Sequence, residues 1–310
     1  MDILCKFDNI SQSNHQPAKT HVKEGATVSS KRNERSMNSS NELNCPEVEG
    51  ALWRIYRDFF DAAERKRRWN IREDVPWDEC NPNLDPAIAD VVETFCCVEL
   101  YLPDYVSKVL PVVRQSKGRM WFYANWGYEE SKHSLVLADW LLRSGNRTDE
   151  QMIDTEKKVF EREWNLPHGN ALGMLAYAMV QEHATFINYK NLKARVQAKG
   201  GDPALEKILS LVTIDEAAHY GLFKSFFELF MQVDRDLAIA ALRPVLNQFQ
   251  MPAIHDLLDE SAKRIAGIRA LEVFNEEIFF RDVYSHFMNV LGISRAEMRG
   301  PKQKKSMATA

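Results

Sequence analysis

Glycine is scarce in this chain, 13 residues in 310, against roughly 7% in an average protein. The Asn-Gly and Asp-Gly pairs that turn two-residue hairpins do not occur. Both shortages argue against an architecture built from many short strands. Cysteine is limited to five residues with no Cys-x-x-Cys spacing, which excludes a zinc-finger or disulfide scaffold and suits a reducing compartment. There is no excess of positive charge: the formal net charge is −4, so nucleic-acid binding is not expected. No uncharged apolar run reaches the ~18 residues of a membrane span. The first residues have no continuous apolar segment of the signal-peptide kind, and Asp2, Asp8, Glu24, Glu34 and Glu42 interrupt the basic residues that a transit peptide would need. A cytoplasmic location is expected, with a plastid stroma as the alternative.

What is present is helical pattern. Hydrophobic residues make up 45% and charged residues 27%, ordinary for a globular protein, and 310 residues suffice for a sizeable core. Residues 1–45 are rich in Ser, Asn, Lys and Glu without apolar periodicity and read as a disordered tail. Residues 298–310 read as a short basic tail. Between them the pattern predicts helices over 46–67, 86–109, 119–143, 148–163, 170–197 and 203–231. Three or four shorter ones follow to about 292, with breaks at Pro244 and Pro252. The fold class is therefore all-α, with one domain over 46–297.

Two Glu-x-x-His tetrads stand out, Glu130–His133 and Glu216–His219; no other of the 8 histidines has a glutamate three positions earlier. Residues three apart share a helix face, so each tetrad can aim a carboxylate and an imidazole at one point. Glu99 and Glu182 sit alone on helical runs. The order is Glu, Glu-x-x-His, Glu, Glu-x-x-His, the ligand set of a carboxylate-bridged dimetal site in a ferritin-like bundle. Glu99 and Glu130 are 31 residues apart and Glu182 and Glu216 are 34 apart, which suits two helical hairpins that each return to the same level. The 52 residues from Glu130 to Glu182 leave room for a long crossover. The expected architecture is a four-helix di-iron core with additional flanking helices.

Four carboxylates and two imidazoles form a hard, oxygen-rich set that suits iron or manganese, and four negative charges balance two divalent ions. A ligating imidazole commonly gives its other ring N–H to a carboxylate. Glu129 and Asp215 each precede a tetrad. The expectation is that Asp215 holds His133 and Glu129 holds His219, crossing between hairpins; the alternative is that both face solvent. His183 follows Glu182 but lies about 100° around the helix and is not a ligand. Phe95, Met174 and Ala178, one and two turns before ligands, either line an apolar channel or belong to ordinary core.

The strings Glu99-Leu-Tyr-Leu-Pro-Asp-Tyr105, Glu129-Glu-Ser-Lys-His133, Gln181-Glu-His-Ala-Thr-Phe186, Asp215-Glu-Ala-Ala-His219 and Met251-Pro-Ala253 resemble, in order, those of the soluble acyl-[acyl carrier protein] desaturases. The likeness spans roughly 60–260 and is to a compact, bacterial-type member. It implies that Glu99, Glu130, His133, Glu182, Glu216 and His219 bind two iron ions and that O2 is a co-substrate. It further implies that Thr185 lies near the oxygen-binding side. Trp69 would begin an electron route through Asp215 to His133; a plain core tryptophan is the alternative. The family's Arg before each ligating histidine is Lys132 and Ala218 here, and a glycine is Ser134.

The implied reaction places a cis double bond in an acyl chain held as a thioester on acyl carrier protein. Electrons would come from a ferredoxin-type donor, and the assembly would be a homodimer. Arg65, Lys66, Arg67 and Arg68 could steer an acidic donor or merely complement a helix C-terminus. An oxygenase on the same bundle (acyl hydroxylase or N-oxygenase) and a non-catalytic iron-binding protein remain as alternatives.

Overall fold

The computed structural model describes residues 45–249 and 253–299. The two expected tails fall almost wholly outside them. So does Pro252, where a break was expected. The described chain is helical, with no strand among the described residues.

Helix α1 spans Pro46–Lys66, α2 Pro86–Glu99, α3 Leu102–Val112, α4 Lys117–Arg143, α5 Asp149–Phe160, α6 Ala171–Ala198, α7 Pro203–Val233 and α8 Arg235–Asn247. A π-helical turn, Ala253–Leu257, precedes α9, Ser261–Ala270. Then α10, Glu276–Ile278, runs through a π-helical stretch, Phe279–Tyr284, into α11, Ser285–Val290, and α12, Arg295–Arg299, follows. The last helix buries Met298, so ordered packing continues past the expected boundary at 297.

The starts of the core helices are chemically specified. Asp85 accepts from Ala87 N–H at 3.0 Å with Pro86 at the first helical position of α2. Asn170 accepts from Gly173 N–H at 2.8 Å at α6, and Asp202 from Leu205 N–H at 2.7 Å at α7. These side chains satisfy backbone donors that a helix start leaves unpaired. Asp202 also accepts from the Trp140 indole N–H at 3.0 Å and Asn81 N–H at 2.9 Å, which ties the start of α7 to the end of α4.

Two sequence expectations shift. The single helix over 86–109 breaks after Glu99 because Pro103, at the start of α3, has no N–H to continue the ladder. Pro244 does not break α8, which runs three residues beyond it.

Helices α2, α4, α6 and α7 form two hairpins, with α2 packed on α4 and α6 on α7. Two apolar clusters fill the bundle. One holds Val92, Leu137, Trp140, Leu192, Ile208 and Val212; the other holds Phe122, Tyr123, Met179, Val180, Phe223 and Phe226. On α4, α6 and α7 the chemistry-bearing residues fall between the two, so a polar layer is sealed at both ends by apolar side chains. Helix α1 crosses α4 closely: a Cβ on Gly118 would lie 2.7 Å from the Leu52 carbonyl carbon, so only glycine fits there.

Candidate metal centre

Glu99 ends α2, Glu130 and His133 lie mid-α4, Glu182 mid-α6, and Glu216 and His219 mid-α7. All six are buried. One potential ligand atom from each of Glu99, Glu130, His133 and Glu216 lies within 4.8 Å of the others, and the same holds for Glu130, Glu182, Glu216 and His219. Glu130 and Glu216 belong to both groups, as two bridging carboxylates would.

The arrangement fits metal better than it fits hydrogen bonding. His219 Nδ1 lies 2.8 Å from a Glu130 oxygen, yet neither atom makes an aligned hydrogen bond, and Glu216 Oε1 is also buried without one. Three unsatisfied polar atoms aimed at one interior space are costly unless a ligand is shared. Burial and then Glu130 push Glu99 up to about 8 and Glu216 up to about 7, and burial with Glu216 holds Glu182 well above its ordinary range. Burial opposes ionisation of Glu130 too, but His133 and His219 override it and hold it down at about 2. A cluster that cannot ionise fully alone can do so around two divalent cations.

Behind the imidazoles stands a second set of contacts. Glu129 Oε2 is 2.7 Å from His219 Nε2, and Asp215 Oδ2 is 3.3 Å from His133 Nε2, so each carboxylate reaches across to the other hairpin. Trp69 donates its indole N–H to Asp215 at 2.7 Å, which brings Trp69, Asp215 and His133 into one chain. Lys132, which stands where the resemblance expects arginine, puts its ammonium 4.0 Å from the centre of the Trp69 ring.

Arg67 departs from its expected surface role. It donates to Glu129 at 2.9 Å and to Asp215 at 2.6 Å. Arg68 donates to Glu129 and Glu64. Only Arg65 and Lys66 of that basic run are exposed. Two further residues escaped the sequence reading: Tyr189 donates its hydroxyl to Glu99 at 2.7 Å, and Trp126 its indole N–H to Glu182 at 3.1 Å. Helical spacing carried the signal, since Trp126 lies four residues before Glu130 and Tyr189 seven after Glu182.

An apolar pocket opens against this layer. Phe95, Tyr105, Trp164, Met174 and Ala178 line it, together with Glu99, Glu130, Glu182, Glu216 and Thr185. Thr185 lies one turn after Glu182 on α6 and accepts a hydrogen bond from Gln181 at 3.4 Å. His183 turns away, its Nε2 2.9 Å from the carbonyl of Asp282.

The model of the fatty acid desaturase family matches residues 88–298. The chain belongs to this family. Its relatives include stearoyl-[acyl-carrier-protein] 9-desaturase 6 of Arabidopsis thaliana, 28% identical over 131 residues, covering 41% of this chain and 33% of that protein. Another is palmitoyl-[acyl-carrier-protein] 4-desaturase 2 of Ophrys arachnitiformis subsp. archipelagi, 30% identical over 131 residues, covering 41% and 34%. The chain thus matches about a third of the length of these relatives, in the acyl-[acyl carrier protein] branch that the motifs resemble. The fold is shared with the X-ray structure of DesA2 of Mycobacterium tuberculosis. The TM-score is 0.60 at 16% identity, covering 84% of this chain and 98% of that one. No helix among the described residues of this family member is long and apolar enough to cross a membrane.

Proposed function

We propose that this protein is an O2-dependent di-iron desaturase acting on a fatty acyl chain carried as a thioester on acyl carrier protein. Its iron pair would share Glu130 and Glu216, with Glu99 and His133 completing one ion's set and Glu182 and His219 the other's. The carrying observation is the pair of overlapping ligand groups in the wall of an apolar pocket. When bound, iron supplies the O2 activation that removal of hydrogen from an unactivated chain requires.

The overall change is balanced by one O2, two electrons and two protons: a –CH2–CH2– unit becomes –CH=CH– and two waters form. A ferredoxin-type donor supplies the electrons, entering by Trp69, Asp215 and His133. Phe95, Met174 and Ala178 hold the alkyl chain by apolar contact and keep bulk water from the reacting carbons. Thr185 offers a hydroxyl on the pocket wall beside Glu182, where it can hold a proton. Asp215 and Glu129 fix the orientation of the two imidazoles. The working assembly is a homodimer.

Incubation of iron-loaded protein with reduced ferredoxin, O2 and a panel of acyl thioesters tests the proposal by product mass. Loss of two hydrogens from an acyl-carrier-protein substrate supports it. Gain of an oxygen atom would assign an oxygenase instead, and absence of any product would leave only an iron-binding role.

A further inference from the structure

A second cavity adjoins the metal-facing pocket. Phe249, Ile265, Ile268 and Phe274 form much of its apolar wall. Arg269 and Glu276, paired with each other and exposed, stand at its rim. Phe95 on α2 and Asn188 on α6 line both cavities, so these two side chains form the neck between an exposed mouth and the buried metal layer. Asn188 is only 3% exposed, and its carboxamide oxygen is buried without a hydrogen-bond partner. The other unpartnered oxygens on the metal-side wall belong to Glu130 and Glu216, and the proposed ions account for them. Asn188 ligates nothing in that account. An unpaired buried carbonyl is costly, and a plain alkyl chain lying in the neck would leave it unpaired.

We propose that Asn188 selects acyl chains that carry a hydroxyl group, which donates a hydrogen bond to the free carboxamide oxygen. A hydroxyl is neutral, so it enters an apolar neck at far lower desolvation cost than a charged donor. A water held there instead would need two or more polar partners, and Phe95, the other residue of the neck, offers none. Asn188 comes six residues after Glu182 on the same helix, about 9 Å along its axis. The selected hydroxyl therefore sits several carbons to the mouth side of the carbons that lie beside the ions. A site built to pair with a ligand hydroxyl discriminates against the analogue that lacks it, because its own polar atom is then left unpaired.

This rests on the acyl-thioester reading above, and its test reads binding rather than turnover. Isothermal titration of the full-length, iron-loaded protein, with no electron donor present, uses acyl-carrier-protein thioesters of one chain length. The chains are plain or carry a single hydroxyl at successive carbons. One hydroxyl position is expected to bind about tenfold more tightly than the plain chain, the scale of one buried acceptor satisfied. Asn188→Leu is expected to abolish that preference and to bind the plain chain at least as well as the wild type does. Asn188→Thr returns an acceptor and should recover part of the preference. Because it removes an unpaired buried oxygen, Asn188→Leu should melt no lower than the wild type, which a structural role for the carboxamide would not give. A wild type without hydroxyl preference, or an Asn188→Leu variant that keeps it, overturns the inference and leaves the acyl-thioester reading standing. A loss on Asn188→Leu shared equally by plain and hydroxylated chains overturns it too, since the oxygen then pairs with the carrier arm. A wild type that binds no acyl thioester overturns both.

Discussion

Glu129 holds His219 Nε2 at 2.7 Å from the opposite helical hairpin. A residue that ligates nothing thereby fixes the ring whose other nitrogen faces Glu130 and Glu182. Glu129→Gln keeps the shape of this contact and removes its charge. Iron affinity is expected to fall about 10–100-fold, as when a carboxylate behind a ligating histidine is lost. Competitive chelator titration reads the change; unaltered affinity would show that Glu129 only packs.

Arg67 is the shared counter-ion of Glu129 and Asp215, and all three side chains are largely buried. Removing it leaves two carboxylates with less compensating charge. Arg67→Ala is expected to lower unfolding stability by about 3–5 kcal/mol, the scale for breaking a buried pair. Denaturant midpoints of the wild type and of Arg67→Lys provide the comparison, with lysine expected to recover part of the loss because it returns charge without the fork.

The metal-free cluster has a definite pH dependence. Burial and Glu130 raise Glu99 to about 8 and Glu216 to about 7 from the ordinary 4.5. Burial opposes protonation of His133 and His219, yet their carboxylate contacts raise both well above 6.5. Between these ordinary and raised values the folded state binds more protons than the unfolded one, so stability falls as pH rises through that interval. Melting of metal-free protein should therefore worsen from about pH 6 to about pH 8, and the iron-loaded form should lack that slope. Loading near neutrality should also release protons into a weakly buffered solution. Melting that improves with pH over this interval would contradict the assigned shifts.

Ala178 lines the pocket beside Met174 and Thr185. Ala178→Phe fills part of the space assigned to the alkyl chain. Turnover of the longest accepted acyl chain is expected to drop by an order of magnitude or more, about 1.4 kcal/mol or above. Shorter chains should lose less, and iron content should hold. Competition between acyl thioesters of different length measures this; equal losses on all lengths would place the chain elsewhere.

The clustering of the six carboxylate and imidazole side chains was legible because its signal is local and repeated: Glu-x-x-His fixes a shared face within one turn, and hairpin spacing fixes the level. The crossing partners of His133 and His219 followed from the acids before each tetrad. Tyr189 and Trp126 were harder, since an aromatic on a helix's inner face reads as core until a carboxylate is found opposite its polar atom. Arg67 was hardest. Its place in a basic run suggested surface, and only the return of the chain after α1 over Glu129 and Asp215 turns it inward. The helix break after Glu99 was written in Pro103, but an apolar pattern continuing to Val109 obscured it.

X-ray data collected at the iron absorption edge from crystals of the iron-loaded protein test the central claim most directly. Two anomalous peaks per chain are expected, both within reach of Glu130 and Glu216. Glu99 and His133 should stand beside one peak, and Glu182 and His219 beside the other. A single peak, or peaks away from these six side chains, would contradict it.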